Sequence, residues 1–83
     1  MIIYTLKNKK SKTLGNVVLG DNIEQIKRDL ITLADTNKDQ VETLKNYNLV
    51  QLGEYDNFKG IFNVPKKHIK LVDCAAVLKK AGY

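Results

Sequence analysis

The chain holds one cysteine, one proline, one histidine and one serine among its 83 residues, and its first twenty residues contain no acid. A lone Cys74 cannot close an internal disulfide, which fits a reducing compartment. One cysteine and one histidine also leave a single chain without the ligands of a zinc site. Ser11 sits among lysines with no histidine near it in sequence, so a serine-hydrolase reading has no support. No apolar run is long enough to span a bilayer. The opening "MIIYTLKNKK" places its basic residues after its apolar ones, the reverse of a secretory signal. The glycines at 15, 20, 53, 60 and 82 do not match a phosphate-cradling GxxxxGK pattern.

What is present is a hydrophobic content of 43%, enough for a globular fold and too high for a disordered tail. The length makes one domain, residues 1–83, with a thin core that oligomerisation would help. The net charge of +5 is unevenly spread. Residues 1–20 carry four lysines and no acid, residues 21–58 four bases against eight acids, and residues 59–83 six lysines against one acid. Basic ends and an acidic middle predict two different faces once folded. A basic surface attracts phosphates of nucleic acid or lipid. Yet thirteen of the fourteen bases are Lys, with Arg28 the exception, and this is also what an AT-rich genome encodes whatever the function.

Periodicity gives the elements. "MIIYTLK" alternates, with Ile2, Tyr4 and Leu6 on one face and Ile3, Thr5 and Lys7 on the other, and reads as a strand. "NVVLG" is a second short strand, paired with the first through a lysine-rich loop. "DNIEQIKRDLITLADTN" is the clearest helix, with Asp21 as its cap, Glu24 completing a box, and an apolar stripe of Ile23, Ile26, Leu30, Leu33 and Ala34. "KDQVETLKN" is one or two further turns or an irregular connection. "YNLVQLGEY" and "GIFNV" form a hairpin around "DNFK", in which Asp56 and Asn57 favour a turn and Gly60 tolerates positive φ. Gly53, inside a strand, marks a bulge or a close backbone approach. "KKHIKLV" is open between strand and helix. Asp73 caps "CAAVLKKAG", in which Cys74, Val77, Leu78 and Ala81 share a face and Gly82 suits the stop. The order β-β-α-β-β-α predicts an α+β fold, a small antiparallel sheet with helices on one face.

Few of these residues point to catalysis. Glu54 and Asp56 lie on one face of a strand, but acids at a hairpin end are ordinarily solvated rather than a catalytic pair. His68, beside Lys67, reads as a surface residue, and Cys74 as core rather than nucleophile. The pattern that remains combines lysine with tyrosine. Lys7, Lys9, Lys10 and Lys12 crowd one loop, Lys66, Lys67 and Lys70 follow the hairpin, and Tyr4, Tyr47, Tyr55 and Phe58 lie on or near strands. Single-stranded DNA binders pair a basic groove with aromatic platforms, each stacked base contributing about 1–3 kcal/mol. The alternative for Tyr4 and Tyr47 is half-burial with the hydroxyl at the rim.

The run "YNLVQLGEYDNFKGIF" resembles the signature of the small nonstructural protein of gokushovirus-type microviruses, which are single-stranded DNA phages. Tyr47, Leu49, Leu52, Gly53, Glu54, Tyr55, Asp56 and Gly60 occupy its places. "MIIYTLKNKK" and "NVVLGDNIEQIKRDL" are similar to the family's opening strand and to its strand-then-helix in order and length. The chain has "LKNYN" where the family carries Pro-Glu-Asp or similar, and its final third matches weakly. The resemblance implies a non-enzymatic protein of the infected bacterium's cytoplasm, without cofactor or metal. It would bind DNA or assist the switch from duplex replication to single-strand synthesis and packaging. The expected arrangement is a homodimer that binds single-stranded DNA without reading sequence. Lys7, Lys9, Lys10, Lys12, Lys66, Lys67 and Lys70 would sit on phosphates, and Tyr4 or Tyr55 would stack on bases. The rival expectation is an adaptor that contacts a phage or host replication or capsid protein, its lysines serving only solubility.

Overall fold

A computed structural model describes all 83 residues, Met1–Tyr83. The fold is α+β. In chain order it has β1 (Ile2–Asn8), β2 (Val18–Gly20), α1 (Ile23–Thr36), a 3-10 turn (Lys38–Gln40), α2 (Val41–Leu44), β3 (Tyr47–Asp56), β4 (Ile61–Asn63), β5 (Ile69–Asp73) and α3 (Cys74–Lys80). The segment that the sequence leaves open between strand and helix is thus a fifth strand, so the order is β-β-α-α-β-β-β-α. Every strand pairing is antiparallel.

β3 organises the sheet. β1 pairs with it along one side, from Ile2 opposite Glu54 to Asn8 opposite Tyr47. Its other side is shared end to end by two short strands, β4 opposite Glu54–Asp56 and β5 opposite Asn48–Gln51. Pro65 lies between them; with no N–H to give to a ladder, it suits the gap. β2 closes the far edge against β1.

Alternation along these strands sends Tyr4, Leu6 and Leu49 into a single core with Ile26, Leu30 and Ala34 of α1, Val41 and Leu44 of α2, and Cys74 and Leu78 of α3. Fully burying each large aliphatic side chain among these stabilises by about 1.5–3 kcal/mol. The stripe on α1 is narrower than its periodicity predicts. Ile26, Leu30 and Ala34, four residues apart, are buried, whereas Ile23 and Leu33 stay exposed. The α1 cap is one residue later than Asp21. Asn22 Oδ1 accepts the Gln25 N–H at 2.9 Å, and Gln25 Oε1 accepts the Asp21 N–H at 2.6 Å. The box exists, but amides build it in place of Asp21 and Glu24. The Asp73 cap on α3 is as the sequence predicts, its Oδ1 accepting the Ala75 N–H at 2.9 Å.

Gly53 answers both expectations placed on it. The β1–β3 register jumps between Ile3 and Tyr4, from Gly53 to Gln51, leaving Leu52 as the extra residue of a bulge. The chain leaving β4 also runs directly against the Gly53 backbone.

Candidate nucleic-acid interface

One face of the sheet carries the helices. On the other, the pairings place residues in rows. Lys7, Asn48 and Asp73 form one row, and Thr5, Val50 and Lys70 the next. By strand spacing, Lys7 and Lys70 lie about 12 Å apart. The middle of this helix-free face is closed: Ile3, Thr5 and Val50 are buried, and the Thr5 hydroxyl donates to Asn16 O at 2.8 Å. Ile3 opposite Gly53 continues the face, and two residues further along β3 it reaches Tyr55, with Phe62 of β4 opposite. The Tyr55 and Phe62 rings stack, centroids 4.6 Å apart and planes 30° from parallel. Phe62 remains 63% exposed despite that contact, and Phe58 at the hairpin tip is 96% exposed. The strand assignment of residues 69–73 is what brings Lys70 alongside the first lysine cluster.

The tip is rigidly built. Asp56 Oδ1 accepts the N–H groups of Phe58 at 3.0 Å and Lys59 at 3.1 Å. The Gly60 N–H bonds Asp56 O at 2.8 Å, and Gly60 has φ 66°. Asp56 therefore shapes a turn.

The lysine loop after β1 is also a built structure. Asn8 Oδ1 accepts the N–H groups of Lys10 and Ser11, both at 2.9 Å. Lys12 sits at φ 65°, a conformation in which Gly or Asn is more comfortable. The loop thus holds an exposed lysine where a turn-forming residue would cost less. Lys10 and Lys12 project into solvent, whereas Lys9 is committed elsewhere. Its Nζ lies 2.6 Å from Asp73 Oδ1 and 2.8 Å from the Lys45 carbonyl oxygen. Lys9 is thus a strap from the loop to the α3 cap rather than a free phosphate contact, a correction to its expected role.

The strap has a pH signature. The side-chain hydrogen bond from Lys9 holds the Asp73 carboxyl below the ordinary aspartate value, with the Ala75 N–H contributing. A carboxyl depressed in the fold stabilises at neutral pH, and that stability is lost as pH falls through the folded-state value. We expect Lys9→Ala to cost roughly 0.5–1 kcal/mol at pH 7, since both partners are part exposed. The difference from the parent should shrink as pH falls through the lowered Asp73 value and be gone once that carboxyl is protonated in the fold. Urea denaturation along an acidic pH series measures it; a cost that does not change with pH would mean that Lys9 acts through packing alone.

Tyr4 requires a second correction. It is 7% exposed and belongs to the core, so it cannot stack on a base. Burial, with a smaller contribution from the nearby Asp29 charge, pushes its hydroxyl above the usual tyrosine range. The structure supplies Phe62 in its place. Reading the sequence missed Phe62 although it pairs with Tyr55, because its role follows from hairpin register and not from composition. Lys66 and Lys67 lie exposed in the β4–β5 connection at the sheet's outer edge, apart from Lys7. Cys74 is fully buried and its thiol is pushed up to about 11 by desolvation, with the Asp73 charge adding to it. It is packing, not a nucleophile.

The helix side carries a different feature. An apolar cleft of about 250 Å³ opens between α1 and the strand edge, lined by Tyr4, Leu6, Val18, Ile26 and Leu33, with Asp29 among its walls. No three His, Cys, Asp or Glu side chains group to hold a metal ion, and no helix is long and apolar enough to cross a membrane. Comparison with protein-family models, curated proteins and solved structures finds no match for the chain.

Proposed function

We propose that this protein binds single-stranded DNA, without reading sequence, on the sheet face opposite its helices. The observation that carries the reading is the Tyr55–Phe62 stack on the same helix-free face as Lys7 and Lys70. An accessible aromatic pair leaves π-surface for a base of any identity. Along the sheet from that pair, Lys70 lies about 14 Å away and Lys7 about 20 Å by strand spacing, with Lys10 and Lys12 beyond, so these lysines would neutralise phosphates of nucleotides further along the strand. Such contacts position a strand without specifying it. The acidic middle supports the same orientation. From Asp21 to Lys45 six carboxylates face four bases, and these residues build α1 and α2, on the side away from the proposed strand.

The role proposed with this binding is that of a non-enzymatic nonstructural protein of a gokushovirus-type microvirus. It would act in the cytoplasm of the infected bacterium, where single-stranded genomes must be covered as they are made or packaged. The similarity of residues 47–60 to that family's signature supports it. Their physical content, a hairpin with Tyr55 on its open face and Gly60 closing its turn, fits a binding element.

A second reading has its own observation. The helix-side cleft has exposed Val18 and Leu33 in its lining, which would suit an apolar anchor from a phage or host replication or capsid protein.

Anisotropy titration of a labelled single strand and of its duplex, at several salt concentrations, separates the two. We expect preference for the single strand and a steep fall with salt. Lys7→Gln with Lys70→Gln should reduce the log–log salt slope by about 1.4, at roughly 0.7 for each phosphate no longer neutralised. No binding at low salt would overturn the DNA reading and leave the cleft as the functional surface.

A further inference from the structure

β4 bonds β3 on one side and nothing on the other. What its free edge offers follows from Tyr55. The Tyr55 N–H bonds Met1 O at 2.8 Å, and the Met1 amine bonds Tyr55 O at 2.9 Å, so both Tyr55 polar groups point toward β1. By alternation Glu54 and Asp56 turn theirs toward β4, opposite Asn63 and Ile61. Phe62, between those two, therefore aims its own N–H and C=O outward.

Apolar side chains surround that edge. Ile61, Phe62, Val64 and Ile69 are each more than half exposed, and Phe58 is almost wholly so. Ile61 and Phe62 lie on opposite faces of the strand, so neither side of the hairpin is covered. A free edge with apolar flanks is a template for another strand. Charge then selects which strand. The chain contains only two ion pairs, Lys9 with Asp73 and Lys45 with Glu42. Asp56 and Glu54 at the hairpin, and Lys66 and Lys67 just past β4, all lack a partner within the chain.

We propose that a second copy of this chain pairs with β4, antiparallel, on a two-fold axis through Phe62. Phe62 of each copy then exchanges both backbone bonds with Phe62 of the other. In that arrangement the hairpin tip that Asp56 builds, at one end of β4, lies at the end of the other copy's β4 from which the segment with unpaired Lys66 and Lys67 departs, twice by symmetry. Closure by a two-fold axis also consumes the β4 edge of both copies and ends association through that edge at two. The axis of an antiparallel strand pair is normal to the sheet, so the two helix-free faces join on one side as an aromatic row, Tyr55–Phe62–Phe62–Tyr55. Only this last consequence rests on the DNA reading; the pairing does not.

Two measurements, both without DNA, test it. In sedimentation equilibrium the parent should be a reversible dimer, and Lys66→Glu with Lys67→Glu should raise its dissociation constant at least roughly tenfold. Under mild oxidation Phe62→Cys should form a covalent dimer, because facing Cα atoms in a bonded antiparallel pair are about 5.5 Å apart, within disulfide range. Ser11→Cys, in the lysine loop, should form no covalent dimer, and buried Cys74 should not compete. A monomer up to the solubility limit, or a dimer in which Phe62→Cys does not cross-link, overturns the proposal. A dimer that binds no DNA would leave it standing while removing the proposed function.

Discussion

Tyr55→Ala is expected to weaken single-strand binding by about 1–3 kcal/mol, roughly 5- to 150-fold, while lowering Tm by only about 2–12 °C. The two readouts separate because of where Tyr55 sits. It lies near the end of β3 and outside the core cluster, and its ring meets Phe62 on a face the helices do not cover. Removing it deletes a stacking surface and leaves the α1–α3 packing untouched. Loss of stability should be limited to the aromatic pair itself, about 0.5–1.5 kcal/mol. Tyr55→Phe keeps the ring and should retain nearly all binding, since stacking needs the π-face and not the hydroxyl. Anisotropy at fixed salt measures the affinity and thermal melting the fold. If Tyr55→Ala binds as well as the parent while the lysine variants do not, the face is a purely electrostatic surface and the stack is only structural.

Much of this was legible in the sequence for a definable reason. The four-residue spacing of Ile26, Leu30 and Ala34 reports one buried face of α1, and alternation in "MIIYTLK" reports the strand, although Ile3 and Thr5 on its second face are buried as well as Tyr4. The Asp73 cap and the turn around Asp56 are local chemistry, complete within three residues. What depended on distant partners was not legible. Tyr4 reads as a half-exposed strand tyrosine, yet it is buried because α1 lies across β1, which the alternation cannot report. Lys9 looks like its neighbours Lys10 and Lys12 until β5 brings Asp73 within reach of its Nζ. The two glycine signals illustrate the boundary. Gly60 could be assigned from its place after a turn, whereas Gly53 could be read only as a bulge or a close approach. That both hold depends on two different partner strands, β1 for the bulge and the end of β4 for the approach.

Gly53→Ala should be among the most damaging single substitutions in the chain, at about 3 kcal/mol, the upper part of the range for forcing atoms into a packed site. For a domain of this size that lowers Tm by roughly 10–25 °C. A methyl at Gly53 would overlap the Asn63 carbonyl oxygen and stand 3.2 Å from Val64 Cα. Both obstacles are backbone, so no rotamer change relieves them. Either β3 or the end of β4 must move. Movement at Asn63 would pull apart the Glu54–Asn63 pairing and, one residue along, disturb the register that sets Phe62 against Tyr55. Stability and single-strand affinity should therefore fall together in Gly53→Ala, unlike in Tyr55→Ala. Gly60→Ala is the control. Nothing lies within 4 Å of a methyl there, so only the cost of φ 66° remains, about 1–2 kcal/mol. Equal melting temperatures for Gly53→Ala and the parent would show that the chain leaving β4 can swing away from Gly53 freely. The hairpin would then be a mobile arm, and the stacked pair would lose the rigid placement on which both the DNA face and the two-fold pairing of β4 depend.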